Sequence, residues 1–332
     1  MRKSVIFTHD NLDLDACFAV LASIRYFFKE SFTTFFKDPK WRDRIELVSA
    51  DWDGKEFQDG DIAVDIEAGE KGKKGDIEEG ERVDSATVQI VEEYAPIEDR
   101  QALQNIVYYI NEHDATGSAA GSILGKEVLD RKSTIKILKC GSVDGMFRAA
   151  QAAIGYQDKK KIIEHFSLVF EGYLINGRKD MKAVELYPQR VKLHGRNKNI
   201  AFLDMKDAPF ALCEVAFEKG AEIVIYKNGK DIGVKRRNFS KFPVNHPLIL
   251  KLIKDAGEEG KWFIHPAGFL ICTGSNKKHA NFQTKVRIDQ LIYTVLKALE
   301  SYEFFFSKFN LSKPKKEQVV SVKKTSTKLI EA

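Results

Sequence analysis

The residues with the most chemistry in this chain lie near its start, in Thr8-His9-Asp10-Asn11-Leu12-Asp13-Leu14-Asp15-Ala16. One imidazole and three carboxylates fall within seven residues there. That much negative charge in one place is unfavourable unless cations compensate it. Carboxylate oxygens joined by an imidazole suit Mn²⁺ or Mg²⁺. The same pattern is also what an acidic helix N-terminus looks like, because the helix dipole favours carboxylates in the first turn. Two further acidic points follow. Asp65, with Glu67 close behind, ends the apolar run Ile62-Ala63-Val64, and Asp114 lies in Asn111-Glu112-His113-Asp114-Ala115-Thr116-Gly117, where a helix is expected to break into a loop.

These residues need elements to position them. Ser4–Thr8 reads as a short buried strand and Ala16–Phe28 as a helix, with apolar side chains three or four apart. Ile45–Val48 and Asp61–Ile66 read as strands. Ser85–Tyr94, Arg100–Asn111 and Lys161–Asn176 read as helices. The alternation predicts an α/β domain built on a parallel sheet over residues 1–180, and in such sheets sites gather at the carboxyl ends of the strands. A smaller α/β domain is expected over 185–308. Its strands are expected near Gln189–His194, Ile200–Leu203 and Glu222–Tyr226, and its helices at Pro209–Lys219, Pro247–Asp255 and Gln283–Phe306. Residues 311–332 read as a disordered basic tail.

Two patterns then become legible together. His9-x-x-x-Asp13-x-Asp15-Ala16 after an N-terminal strand resembles the first motif of the DHH phosphoesterase superfamily, which includes RecJ-type exonucleases and oligoribonucleases. Asp65 is similar to that family's second-motif aspartate and Asp114 to its fourth. Asp84-Ser85-Ala86-Thr87 resembles the small-residue segment that opens a helix after the third motif. Farther on, Gly260-Lys261-Trp262-Phe263-Ile264-His265-Pro266-Ala267-Gly268 resembles the glycine and histidine motif of the family's C-terminal substrate domain, with Trp262, Phe263 and Ile264 in place of glycines.

The resemblance implies a hydrolase with one or two Mn²⁺ or Mg²⁺ ions, acting on a phosphodiester or phosphoanhydride by two-metal chemistry. It implies that His9 and Asp13 hold one ion. Asp15, Asp65 and Asp114 hold the other, with Asp65 shared and with Asp65 and Asp15 central to catalysis. It also implies that His265 and Gly268 contact substrate phosphate, while Arg236 and Arg237, after the strand Ile223–Tyr226, read as able to hold a phosphate bidentately. The substrate it implies is a small phosphorylated molecule, a nucleotide or a short oligonucleotide. The sequence departs from the family at its eponymous Asp-His-His triplet. Gly69-Glu70-Lys71-Gly72-Lys73-Lys74-Gly75 stands there and contains no histidine. His113, beside Asp114, is the candidate substitute ligand. The missing triplet also leaves open a catalytically silent, nucleotide-binding or regulatory relative.

Composition narrows the remaining classes. The 332 residues suit about two domains. No run of about 18 apolar residues appears, so no membrane partner is expected. The N-terminal apolar stretch is too short for a signal peptide. Cys17, Cys140, Cys213 and Cys272 form no CxxC pair, which argues against a zinc ribbon and for reduced thiols in a cytoplasmic protein. The net charge is +5, and six lysines against two glutamates in the tail supply +4 of it. The folded part is therefore expected to be close to neutral, with no broad basic groove for nucleic acid. The long helix expected at 283–306 is a candidate surface for a homodimer. Gly121-Ser122-Ile123-Leu124-Gly125-Lys126 lacks the spacing and the Ser/Thr of a P-loop.

Overall fold

The structure is a computed structural model. It describes residues 3–49, 52–66, 77–78, 81–82, 84–117, 142–195, 199–238, 240–273 and 282–308. Glu67, the lysines at 71, 73 and 74, Gly121–Lys126, Cys140 and the basic tail lie outside the described residues. The chain divides into two compact units, Met1–Met181 and Lys182–Ala332. Each is an α/β unit. Among the described residues, no helix is long and apolar enough to cross a membrane.

The first unit is organised by three parallel strands in the order β2 (Ile45–Val48), β1 (Ile6–His9) and β3 (Ile62–Ala63). β1 is central, and its two faces are both buried. Ile6 packs with the main helical core, while Phe7 packs into a small opposite cluster with Ala63 and Ile66, where Trp52 stacks on its ring at 4.5 Å. A strand covered on both sides reads as a continuous apolar run, which is why Val5-Ile6-Phe7 is legible in sequence. Ile6 pairs with Ile45 on one side and Ile62 on the other. That register brings the carboxyl ends of β1 and β3 side by side.

Helix α1 (Leu14–Ala22) follows β1 and is buried on every residue. A helix apolar all round has to sit inside a core. It does not run to Phe28 as one α-helix. From Ser23 to Phe27 the winding loosens to a π-turn, with Phe28 N–H donating five residues back to Ser23 O at 2.9 Å. α2 (Phe32–Lys37) and a 3₁₀ turn, Trp41–Arg44, lead into β2. After a two-residue hairpin pair, β4 (Ile77–Glu78) and β5 (Glu81–Arg82), come α3 (Ala86–Tyr94), α4 (Ile97–Thr116), α5 (Val143–Ile154) and α6 (Lys159–Arg190). Phe18, Phe166 and Phe170 meet in the core between α1 and α6, with ring centroids 6.2 and 5.8 Å from Phe18.

The second unit holds a six-stranded mixed sheet in the order β10-β11-β9-β8-β7-β6. Its strands are β6 (Val191–His194), β7 (Ile200–Asp204), β8 (Ile223–Asn228), β9 (Asp231–Arg236), β10 (Phe263–Ile264) and β11 (Leu270–Cys272). Only β7 and β8 pair in parallel. α7 (Ala211–Glu218) covers Ala201, Leu203 and Val224. On the other face, α8 (Pro247–Asp255) and α9 (Ile288–Lys308) pack with Ile223, Ile225 and Val234.

Candidate metal centre

His9 is the last residue of β1, and the loop after it is held from several sides. Asp10 N–H donates to Val48 O at 2.7 Å. The Gln151 amide on α5 donates to Leu12 O at 3.3 Å, and Lys159 Nζ on α6 donates to Asp10 O. Asp13 then caps α1, its Oδ1 accepting the Ala16 N–H at 2.9 Å. Capping uses one carboxylate oxygen and turns the other toward His9, with Oδ2 at 3.9 Å from His9 Nε2.

Asp65 arrives from β3. Val64 N–H still pairs with Phe7 O at 2.9 Å, and the chain then turns sharply, with Asp65 in the left-handed region at φ 56°. Aspartate tolerates this conformation better than most residues. The turn places Asp65 Oδ2 2.7 Å from His9 Nε2. One ligand atom from each of His9, Asp13 and Asp65 lies within 4.8 Å of the others. No other such group of three or more is present among the described residues. His9 and Asp65 are largely buried and Asp13 is half exposed.

The electrostatics follow from crowding. Burial opposes charge on His9, but the hydrogen bond and charge of Asp65, helped by Asp13 and Asp10, outweigh it and hold the imidazole's pKa above its ordinary value. Burial, then the charge of Asp65, raises the Asp13 carboxyl. The donor set fits a cation: two carboxylate oxygens and one imidazole nitrogen match a hard or borderline divalent ion such as Mn²⁺ or Mg²⁺.

Asp15 belongs to the same α1 turn but is placed differently. It is 3% exposed, and its two oxygens accept the first amides of α3, Ala86 N–H at 2.9 Å and Thr87 N–H at 3.0 Å. Burial first, then the charges of Asp65 and Asp114, push its pKa up to about 8, against the pull of the Thr87 hydrogen bond. Asp114 is half-buried, and its charge reaches Asp15. It is not in a loop. α4 continues through it to Thr116 and stops only at Gly117, where φ reaches 66°. His113 stacks flat on Tyr109, and its Nε2 is 3.5 Å from Asp144 Oδ1. It is not one of the three side chains that converge.

Asn111, Gln151 and Lys159 are residues that sequence reasoning missed as parts of the site's frame. Asn111 Oδ1 accepts Ser85 N–H at 2.8 Å while its amide donates to Asp84 at 2.9 Å, tying α4 to the start of α3. The only signal for Asn111 was its place in the segment before Asp114. Gln151 and Lys159 carry none, because their contacts cross more than 130 residues of chain.

In the second unit, His265-Pro266-Ala267-Gly268 is the tight turn joining β10 to β11. Gly268 N–H donates to His265 O and His265 N–H to Leu270 O, both at 2.9 Å. Gly268 takes φ 63°, and a Cβ there would meet Asn245 Oδ1 at 2.5 Å. Proline early in the turn and glycine in the left-handed position are what such a turn requires. Ala267 N–H donates to His265 Nδ1 at 3.1 Å, which leaves Nε2 as the ring's donor. The Arg236 guanidinium is also turned inward, onto the carbonyls of Gly268 and Ser240. Successive residues leaving a strand point to opposite faces, and Arg237 instead lines a shallow cleft with Glu214, Phe217, Glu218 and Asn238.

No family model matches the chain, and no curated protein matches it. Two solved structures are similar to it at a distance. One is the DHH domain of a protein described as a member of a family of ribosomal proteins. It is 12% identical, with 89% of this chain and 87% of that one covered and a TM-score of 0.32. The other is an uncharacterised protein from Helicobacter pylori G27, 9% identical, with 90% of this chain and all of that one covered and a TM-score of 0.23. Both scores are too low to carry the functional argument, which rests on the residues of the site.

Proposed function

We propose that this chain is a divalent-metal-dependent phosphoesterase that cleaves a phosphodiester or phosphoanhydride of a small nucleotide or short oligonucleotide. The observation that carries the reading is the convergence of His9, Asp13 and Asp65, from two adjacent strand ends and a helix cap, within 4.8 Å of one another. These residues would hold Mn²⁺ or Mg²⁺. A bound ion of this kind polarises a phosphoryl oxygen and lowers the pKa of an attacking water. To hold an ion, His9 would present an unprotonated ring nitrogen, and its Nε2, now 2.7 Å from Asp65 Oδ2, is the nitrogen that faces the two carboxylates. The half-exposed Asp13 gives the centre an open side from which substrate can approach. The turn at His265–Gly268 offers His265 Nε2 as a phosphate donor, and Arg236 fixes that turn from behind.

The test is hydrolysis of a chromogenic phosphodiester, a dinucleotide and polyphosphate by the full chain, with and without Mn²⁺ or Mg²⁺. The reading expects metal-stimulated turnover of at least one of them, abolished by Asp65→Ala. No turnover by folded, metal-supplied protein would contradict it. The absence of histidine from Gly69–Gly75 supports a second reading, a silent nucleotide binder. That protein would show a nucleotide-dependent rise in melting temperature without turnover.

A further inference from the structure

The family resemblance assigns Asp15 to a second ion, together with Asp65, Asp114 and a triplet histidine that this sequence lacks. The structure gives Asp15 other work. Its Oδ2 and Oδ1 accept Ala86 N–H and Thr87 N–H at 2.9 and 3.0 Å, and Thr87 Oγ1 donates to the Asp15 carbonyl at 3.1 Å. Ser85 caps the next amide, that of Val88, at 3.5 Å. The first three amides of α3 are thus satisfied by this chain's own side chains. A helix N-terminus leaves orphan N–H groups, so a buried side chain with two acceptor oxygens is well suited to lie against it. The result is a three-bond weld between the first turns of α1 and α3, elements more than 70 residues apart in sequence.

We infer that Asp15 is the structural anchor between α1 and α3 and not a cation ligand, which leaves His9, Asp13 and Asp65 as the one cation centre among the described residues. The inference rests on the cation reading proposed above. Its geometry is independent of the resemblance. Both Asp15 oxygens already accept backbone amides, and Asp15 does not join the converging group among the described residues. To serve as a ligand it would have to share or surrender those bonds.

The experiment is a Mn²⁺ titration of the full chain, with unbound Mn²⁺ counted by electron paramagnetic resonance. It is run beside thermal melts and amide hydrogen exchange at Ala86 and Thr87. The wild type is expected to bind one ion. Asp15→Asn is expected to bind one ion with affinity within about threefold of wild type, because no ligand is lost. It should melt at a lower temperature and exchange Ala86 and Thr87 amides faster, since its NH₂ meets an N–H. Asp65→Asn is expected to bind none. Two ions on the wild type, or loss of an ion from folded Asp15→Asn, would overturn the inference. The wild-type count decides alone where Asp15→Asn does not fold. No ion on the wild type would overturn the cation reading and this inference with it.

Discussion

His9 Nε2 and Asp65 Oδ2 lie 2.7 Å apart across 56 residues of chain, because the parallel register that pairs Phe7 with Ala63 carries on to set Asp65 level with His9. Under the proposed reading, a cation at this centre would take the place of this contact.

The stability gained from bound metal should grow as pH rises. The folded pKa values of His9 and Asp15 are raised above their ordinary values, Asp15 to about 8. The folded state therefore holds protons that the unfolded chain has already released, and stability falls as pH rises. For Asp15 the loss spans from about pH 4 to about pH 8, and for His9 it continues until its raised pKa is passed. Metal-free protein should melt at a lower temperature at pH 8 than at pH 5.5. Saturating Mn²⁺ should add more stability at pH 8, since ion and proton compete for the same atoms. Melting curves with a chelator and with Mn²⁺ at both pH values check this. Equal pH dependence in the two conditions would contradict it.

Asp13 combines two roles that substitution can separate. Its Oδ1 caps α1 and its Oδ2 faces His9. Asp13→Ala should lower stability by about 1 kcal/mol from the lost cap. Asp13→Ser should recover most of that loss. Neither variant should bind Mn²⁺ with wild-type affinity. Denaturant melts and metal titrations of the pair measure the split, and restored metal binding in Asp13→Ser would show that Asp13 is only a cap.

Gln151 should act on the centre without touching a ligand. Its amide holds Leu12 O, the residue before Asp13. Gln151→Ala should cost about 1 kcal/mol of stability, typical of one hydrogen bond, and weaken Mn²⁺ binding severalfold by loosening the loop. Calorimetric titration of the variant reads this directly. An unchanged affinity would show that Asp10, bonded to Val48 O, and Lys159 are enough to set the loop.

Gly268→Ala should destabilise the second unit, by about 1–3 kcal/mol for a non-glycine residue forced to positive φ. The Cβ would also press on Asn245. The Mn²⁺ affinity of the first unit should be unaffected. A variant as stable as wild type would mean that the β10–β11 turn relaxes at no cost.

The parts of this molecule that sequence reveals are those with a local cause. β1 is visible because a buried strand is an apolar run, and α8, Pro247–Asp255, because proline starts it and its apolar residues recur at helical spacing. The expected strand Asp61–Ile66 shrinks to Ile62–Ala63 for a reason the sequence hides. Asp61 is 1% exposed and spends its carboxylate on the amides of Val5 and Gln58, while Asp65 turns left-handed. β9 is missed because Gly233 and its charged neighbours resemble a loop. In the sheet the Tyr226 ring lies where a Cβ at Gly233 would be, so only glycine fits. In the site, the spacing of His9, Asp13 and Asp15 was legible, but the division of labour was not. Asp13 faces His9 while Asp15 faces α3, and only the long-range bonds to Ala86 and Thr87 distinguish them.

The most direct test of the central claim is anomalous diffraction from a crystal soaked in Mn²⁺. The account predicts one peak within ligand distance, about 2.0–2.6 Å, of His9 Nε2 and of carboxylate oxygens of Asp13 and Asp65, with the His9–Asp65 hydrogen bond broken. Saturating Mn²⁺ with no peak there and that bond intact would contradict it.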